Sequence, residues 1–350
     1  MRAIQMSAVG APLRLVEVET PEPGRRDAVI EVLACGICRS DWHLWQGDWS
    51  WEGIGVELPR ILGHEASGLV RSIGADVATV VPGMRVCVPF HEACGRCTTC
   101  LSGATHRCPH ADYIGSSHDG AFAQFARIPN ADVNCIPLPD AVDPVAAAAM
   151  GCRYMTAYHA VVHRARAQGG EWAAVYGCGG LGLSLVQILA ALGVQTVAID
   201  IDDAKLELAR RVGAVHTLHA ARGDPAAAVL ELTAGGAHAS FDALGSSVTF
   251  RNGIDSLRPG GRHVQVGLTT QDDAGASSIP LDQITFREID ILGSIGNPVH
   301  TYPELLSLVA RGTLRPRDIV TAELKLDDVP AAIERMSDFG LTGIVVVSRF

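Results

Sequence analysis

The chain reads as an α/β protein in two parts: a turn-rich, all-β barrel-like half and a doubly wound parallel-sheet half. Three observations carry that reading. Up to about Pro139 the text consists of short apolar runs broken by Gly and Pro. From Glu171 it changes to a strict alternation of strand and helix patterns, which in one sheet means parallel strands with crossover helices. A glycine-rich turn, Gly177-Cys-Gly-Gly-Leu-Gly182, sits where the first of those strands meets the first of those helices. A length of 350 residues suits about two domains, and 48% apolar residues suffice for large cores without disulfides.

In the first half, Ala28-Val-Ile-Glu-Val-Leu-Ala34, Gly68-Leu-Val-Arg-Ser-Ile-Gly74 and Arg85-Val-Cys-Val-Pro89 are the clearest strands. In the second half the expected order is strand Trp172–Tyr176, helix Gly180–Leu192 stopped by Gly193, strand Val194–Asp200 and helix Asp203–Val212. Further strands are expected at Ala214–Leu218, Ser240–Leu244, Arg262–Leu268 and Asp290–Ser294. That makes about six, the number in a complete dinucleotide-binding sheet. Past Pro298 come a helix at Tyr302–Arg311, another near Val329–Ser337 and a last strand at Gly343–Ser348, a tail expected to return to the first domain. The boundaries expected are 1–152 with 298–350 for one domain and 153–297 for the other.

Composition excludes several function classes. The net charge of −10 is spread along the chain, whereas a nucleic-acid partner needs clustered Lys and Arg. The N-terminal residues do not look like a signal peptide, and the longest apolar run, Leu181–Val194, is too short to span a bilayer. A cytoplasmic location with reduced thiols is the expectation, so the ten cysteines are read as metal ligands or core residues.

Two motifs carry chemistry by their own spacing. Cys94, Cys97 and Cys100, closed by Cys108, offer four thiolates at a spacing suited to a closed, structural zinc ion. In the glycine turn, Gly177 permits the tight bend, Gly179 lets a pyrophosphate approach the backbone, and Gly182 lets helix and strand pack closely. Gly180 and Leu181 open the helix, whose unpaired N–H groups favour phosphate. Asp200 ends the next strand, about twenty residues on. A carboxylate there accepts from ribose hydroxyls and repels a 2′-phosphate, and no Arg follows it, so NAD is expected over NADP. Cys35, Cys87, Cys135 and Cys178 lie among apolar neighbours and are read as small core residues.

Cys38, His64 and Cys152 are too far apart in sequence for spacing to unite them. With Cys38-Arg-Ser-Asp41, Gly63-His64-Glu65, the Cys94 loop, Gly151-Cys152 and the glycine turn in this order, however, the chain resembles the medium-chain zinc-dependent alcohol dehydrogenases essentially end to end. The resemblance implies a GroES-like β-barrel catalytic domain and a Rossmann cofactor domain. It implies a catalytic zinc on Cys38, His64 and Cys152 with an open fourth position, beside the structural one. Glu65 would lie next to that metal and, as in some relatives, exchange with its water as a possible ligand, Asp41 would orient the ligand histidine, and Ser40 and His43 would relay the proton. Cofactor contacts are implied at Arg39, Thr156, Lys205, Val266 and Ser294. Two thiolates and an imidazole do leave Zn²⁺ one position, where an alcohol becomes more acidic and can give up hydride.

Four of the five tryptophans, Trp42, Trp45, Trp49 and Trp51, follow Asp41 closely. Together with Phe90 and Tyr154 they suggest an apolar substrate pocket, with Trp49, Phe90 and Tyr154 as its walls, suited to bulky or aromatic alcohols; a packed loop or a subunit contact is the other reading of the segment. One departure from the family is plain: Ile344 stands where many relatives have an Arg near the cofactor pyrophosphate. The resulting expectation is an NAD-dependent alcohol dehydrogenase acting on a small-molecule alcohol or carbonyl, assembled as a homodimer or homotetramer. A reductase of an activated C=C or C=N bond on the same scaffold, or a cofactor-binding scaffold with structural zinc only, remains open at this point.

Overall fold

The computed structural model describes residues 1–350, which divide into two compact units, Met1–Met155 with Gly296–Phe350 and Thr156–Ile295. The crossing points lie three residues later on entry and two earlier on return than the sequence suggested. On entry the chain is continuously helical from Pro144 to Ala165, so no loop marks the change.

In the first unit the strands are β1 (Arg2–Met6), β2 (Arg14–Glu17), β3 (Ala28–Ile37), β4 (Arg60–Ile61), β5 (Glu65–Ile73), β6 (Arg85–Cys87), β7 (His91–Glu92), β8 (Asp112–Tyr113), β9 (Phe125–Ile128) and β10 (Ile136–Pro137). β3 is buried along most of its ten residues, which is why it reads as a near-continuous apolar run. It pairs antiparallel with β5 and, over Ala28–Glu31, with β9. Its register against β5 sets Gly36 opposite Glu65 and Cys35 opposite Ala66, and so brings the segments carrying Cys38 and His64 together. One core, including Ile4, Ile30, Ile37, Leu62, Val86 and Phe122, fills this unit. Each such side chain contributes about 1.5–3 kcal/mol on burial.

The second unit is a six-stranded parallel sheet of β11 (Trp172–Tyr176), β12 (Gln195–Asp200), β13 (His216–His219), β14 (Ala237–Asp242), β15 (Leu257–Gln265) and β16 (Asp290–Gly293). Their order is β13-β12-β11-β14-β15-β16, so the strand order reverses between β11 and β14, the point where doubly wound sheets bind ligands. Helices Gly180–Ala191 and Asp203–Arg211 fall within a residue of expectation. Asp202 caps the second through bonds from the N–H groups of Ala204 and Lys205.

Residues from Gly296 on do return to the first unit. There β17 (Val320–Lys325), absent from the sequence reading, runs parallel to β18 (Ile344–Arg349), and β18 pairs antiparallel with β3 at Cys35–Ile37. No helix is long and apolar enough to cross a membrane.

Candidate metal centre and cofactor turn

Helix α1 (Arg39–Gln46) begins immediately after Cys38, which is its N-cap, so the Cys38 sulfur sits at the positive end of the helix. Asp41, three residues into the cap, is fully buried and has every bond a buried carboxylate needs. Its Oδ2 accepts from the Cys38 N–H at 2.9 Å, and its Oδ1 accepts from the Gly63 N–H at 3.1 Å and from His64 Nδ1 at 2.9 Å. One side chain thereby ties the Cys38 segment to the His64 segment and fixes the imidazole tautomer. His64 Nε2 is left buried with no protein partner. Cys152 enters from the π-helical turn Met150–Tyr154.

The donor atoms of Cys38, His64, Glu65 and Cys152 all lie within 4.8 Å of one another. The Cys152 thiol hydrogen-bonds Cys38 and thereby holds the Cys38 thiol well below its ordinary range, against the cost of burial; Arg153 and His64 add to the effect. The same bond, then burial, pushes Cys152 well up. Burial disfavours the His64 imidazolium, but Asp41 and Cys38 outweigh it and raise that ring. Two sulfurs, an oriented imidazole and an orphaned lone pair fit a zinc ion, which binds by displacing the protons these groups share.

The Cys94 lobe is a second and different donor set. Its sulfur separations are 4.0 Å (Cys94–Cys100), 3.5 Å (Cys97–Cys100), 3.8 Å (Cys97–Cys108) and 3.6 Å (Cys108–Cys94), with no disulfide. A regular ZnS₄ tetrahedron with bonds of about 2.3 Å has edges of about 3.8 Å, so the four sulfurs fit that ion. The Arg96 N–H, against the cost of burial and with help from the Cys97 N–H, brings the Cys94 thiol down to about 6.

Around the first centre, Glu65 is sealed in and paired with Arg153, whose N and Nε donate to Oε1 at 3.2 and 2.9 Å and whose Nη2 donates to Oε2. Ser40 Oγ lies 3.8 Å from Cys38 Sγ. His43 is buried, its Nδ1 2.6 Å from Asp48 Oδ2 and its ring stacked 4.5 Å from Trp49. Burial holds the His43 imidazolium below its ordinary range, although Asp48 opposes this.

Phe90 stands edge-on to His64 at 6.3 Å and is half-buried. Of the other two expected pocket walls, Tyr154 needs correction: it is 0% exposed and has no surface to offer a substrate. Trp49, 8% exposed, lies in the barrel core, stacked on His43. Arg39, expected at a phosphate, is stacked between Trp42 (3.9 Å) and Phe339 (4.3 Å) and donates to the Met336 carbonyl.

In the second unit, Gly177 takes φ +91°, and a Cβ on Gly182 would lie 1.7 Å from the Gly177 oxygen, so both positions need glycine. A Cβ on Gly179 would meet nothing within 4 Å, and no side chain hydrogen-bonds the N-terminus of the helix it caps, which leaves those N–H groups to a phosphate beside Gly180 and Leu181. Asp200 Oδ2 accepts from the Cys178 N–H at 2.6 Å, and Oδ1 from Ile201 and Asp202 at 2.7 and 3.1 Å. The carboxylate thus braces the glycine turn itself. Lys205 is buried, with Nζ 3.9 Å from Asp202. Val266 follows β15 and Ser294 follows β16, at the carboxyl ends of the sheet, and Thr156 is buried at the start of this unit. Cys178, like Cys35, Cys87 and Cys135, is a buried free thiol.

Sequence reasoning missed Asp48 and Arg153. A buried charge needs a partner. Arg153 beside the candidate ligand Cys152 and Glu65 beside the candidate ligand His64 were the legible halves of one pair.

Residues 24–140 match the family model described as the alcohol dehydrogenase GroES-like domain, and residues 180–311 match that of the zinc-binding dehydrogenases. An alcohol dehydrogenase of Geobacillus stearothermophilus is 34% identical over 99% of this chain and 98% of its own. An NAD-dependent alcohol dehydrogenase of Sulfurisphaera tokodaii is 31% identical over 98% of each chain. The solved alcohol dehydrogenase of Thermus sp. ATN1 superposes with a TM-score of 0.91 at 29% identity, covering 100% of both chains.

Proposed function

Because the chain belongs to the medium-chain zinc-dependent alcohol dehydrogenase family, we propose that it interconverts an alcohol with its aldehyde or ketone, using NAD as the hydride acceptor. One observation carries the reading most: the buried, unpartnered Nε2 of His64, oriented by Asp41 toward Cys38 and Cys152. Zinc held by those three residues supplies a Lewis acid that makes an alcohol hydroxyl more acidic, and NAD supplies the acceptor for hydride.

The chain's own residues do the rest. Asp41 keeps the proton of His64 on Nδ1, so that Nε2 presents its lone pair. Ser40, beside Cys38, takes the hydroxyl proton at Oγ and passes it toward His43. Asp48 holds Nδ1 of His43, and burial keeps that ring neutral near pH 7, ready to accept at Nε2. Phe90 gives the site an apolar flank, which favours alcohols with a bulky apolar or aromatic substituent. Gly179, Gly180 and Leu181 receive the pyrophosphate, and Asp200 the ribose; the carboxylate opposes a 2′-phosphate, and Arg222, the nearby cation, is already paired with Asp203. A homodimer or homotetramer is the assembly we expect, and it would cover apolar surface such as Phe286, 87% exposed.

The test is a panel of primary, secondary and aromatic alcohols with NAD and NADP, read by absorbance of the reduced nicotinamide, before and after chelation. Turnover that follows metal content and a higher kcat/KM with NAD support the reading. Undiminished turnover by chelated protein overturns the metal role, and a preference for NADP overturns the role of Asp200.

A further inference from the structure

We propose that Arg153 is a positioning residue of the metal centre, a latch that holds the Glu65 carboxylate off the metal so that the last coordination position stays free for substrate. The inference rests on the metal reading above and goes beyond it. Glu65 has one carboxylate oxygen within 4.8 Å of the donor atoms of Cys38, His64 and Cys152, close enough for a modest side-chain rotation to make it a fourth ligand. Carboxylate oxygens are good ligands for zinc. Left to itself, a buried anion with nowhere else to go would take that place.

The fold gives it somewhere else to go. Arg153 engages both carboxylate oxygens, a bidentate pairing reinforced by its own backbone N–H. That N–H belongs to the π-helical turn Met150–Tyr154, where the α-helical ladder is interrupted. The same turn puts the ligand Cys152 and the latch Arg153 on consecutive residues, so metal and latch share one backbone anchor. Space for the parked carboxylate is cut by two glycines. Gly36, opposite Glu65 in the sheet, would with a Cβ come within 2.0 Å of Oε2, and Gly151 would come within 2.7 Å of the Glu65 Cα. Charge points the same way. Cys38, Cys152, Asp41 and Glu65 put four potential anions around one divalent cation, and Arg153 is the guanidinium that meets them.

Cobalt-substituted full-length protein tests this with imidazole as the probe. Its visible ligand-field bands report the coordination of the metal, and its titration with imidazole reports access to the open position. In Arg153→Met, with two metals per chain retained, imidazole binding is expected to weaken about 10- to 100-fold and the bands to shift, as carboxylate enters. Arg153→Met combined with Glu65→Gln is expected to recover wild-type affinity. Unchanged bands and affinity in Arg153→Met overturn the latch. So does a double variant as weak as the single one, because that pattern means loosened packing alone. Should Arg153→Met fail to fold, Arg153→Lys with and without Glu65→Gln carries the same test. Lys keeps the charge but loses the fork, so weakening that is rescued by Glu65→Gln supports the latch and unchanged affinity overturns it. A wild-type protein that binds only one cobalt, or gives no response to imidazole, overturns the metal reading and the latch together; a normal wild-type response with an indifferent Arg153→Met overturns the latch alone.

Discussion

The two cysteine-rich centres of the first unit use the same element of chemistry in opposite ways. The Cys94 lobe draws all its donors from one stretch of 15 residues, all four alike, packed with Ala93 and Val133 and with no acidic partner. The Cys38 centre draws its donors from three distant segments, mixes sulfur with nitrogen, and surrounds them with Asp41, Glu65 and Arg153. A closed site needs only its ligands, because the ion satisfies them and they satisfy the ion. An open site must be held in shape by groups that never touch the metal. The difference teaches where mutational sensitivity lies: in the lobe it ends at the sulfurs, and in the centre it extends to the residues behind them.

The sharpest way to break that contrast is to remove one sulfur from each. Cys152→Ser is expected to abolish turnover, by about 10³-fold or more, and to lower the metal content from two to one, with the thermal midpoint moving only a few degrees. Cys108→Ser is expected to cost several kcal/mol of stability through loss of the structural ion, read as a large fall in the same midpoint. Similar falls in both variants would dissolve the distinction. A smaller effect is expected one layer out: Asp41→Asn cannot accept all three bonds as an anion, and its metal affinity, measured by competition with a chelator, should fall about 10- to 100-fold.

Acid provides a third comparison. His91, on β7 just ahead of the lobe in sequence, is buried with Nε2 3.2 Å from the Asn297 carbonyl, and burial, with help from His106, drops its pKa to about 3. Since the folded value lies below the ordinary 6.5, the unfolded chain takes the proton first. The stability carried by neutral His91 is therefore complete above pH 6.5 and is lost as pH falls toward 3, by about 1.4 kcal/mol per pH unit. Urea midpoints across that window should fall more steeply for the wild type than for His91→Gln; parallel curves would show that His91 is not the titrating group. The smallest effect is reserved for a cysteine outside both centres. Cys87, fully buried with its thiol pushed up to about 12 by burial, should on conversion to Ala cost about 1 kcal/mol and leave two metals per chain.

What was legible in the sequence follows the range of the forces involved. The parallel sheet could be read because each strand and helix announces itself within a dozen residues, and the Cys94 lobe because its ligands do the same. Strand β17 could not: Val320-Thr-Ala-Glu-Leu-Lys325 alternates half-buried and exposed residues as an edge strand should, but Ala, Glu, Leu and Lys are strong helix formers, and only pairing with β18 decides the matter. The fate of the tryptophans was equally hidden. Four rings close together announce burial against something; that Trp49 would lie flat on His43 inside the barrel depends on packing that the spacing does not encode. The pairing of Glu65 with Arg153, 88 residues apart, is tertiary in the same sense.

The brace at Asp200 bears on any attempt to redesign the coenzyme choice of this chain. Exchanging that residue for a neutral or basic one, the obvious edit for admitting a phosphorylated ribose, also releases the Cys178, Ile201 and Asp202 amides, one of which belongs to the bend proposed above to receive the diphosphate. On that proposal, selectivity and grip are written into a single side chain, and an engineer must supply a substitute acceptor for those amides before the swap can succeed.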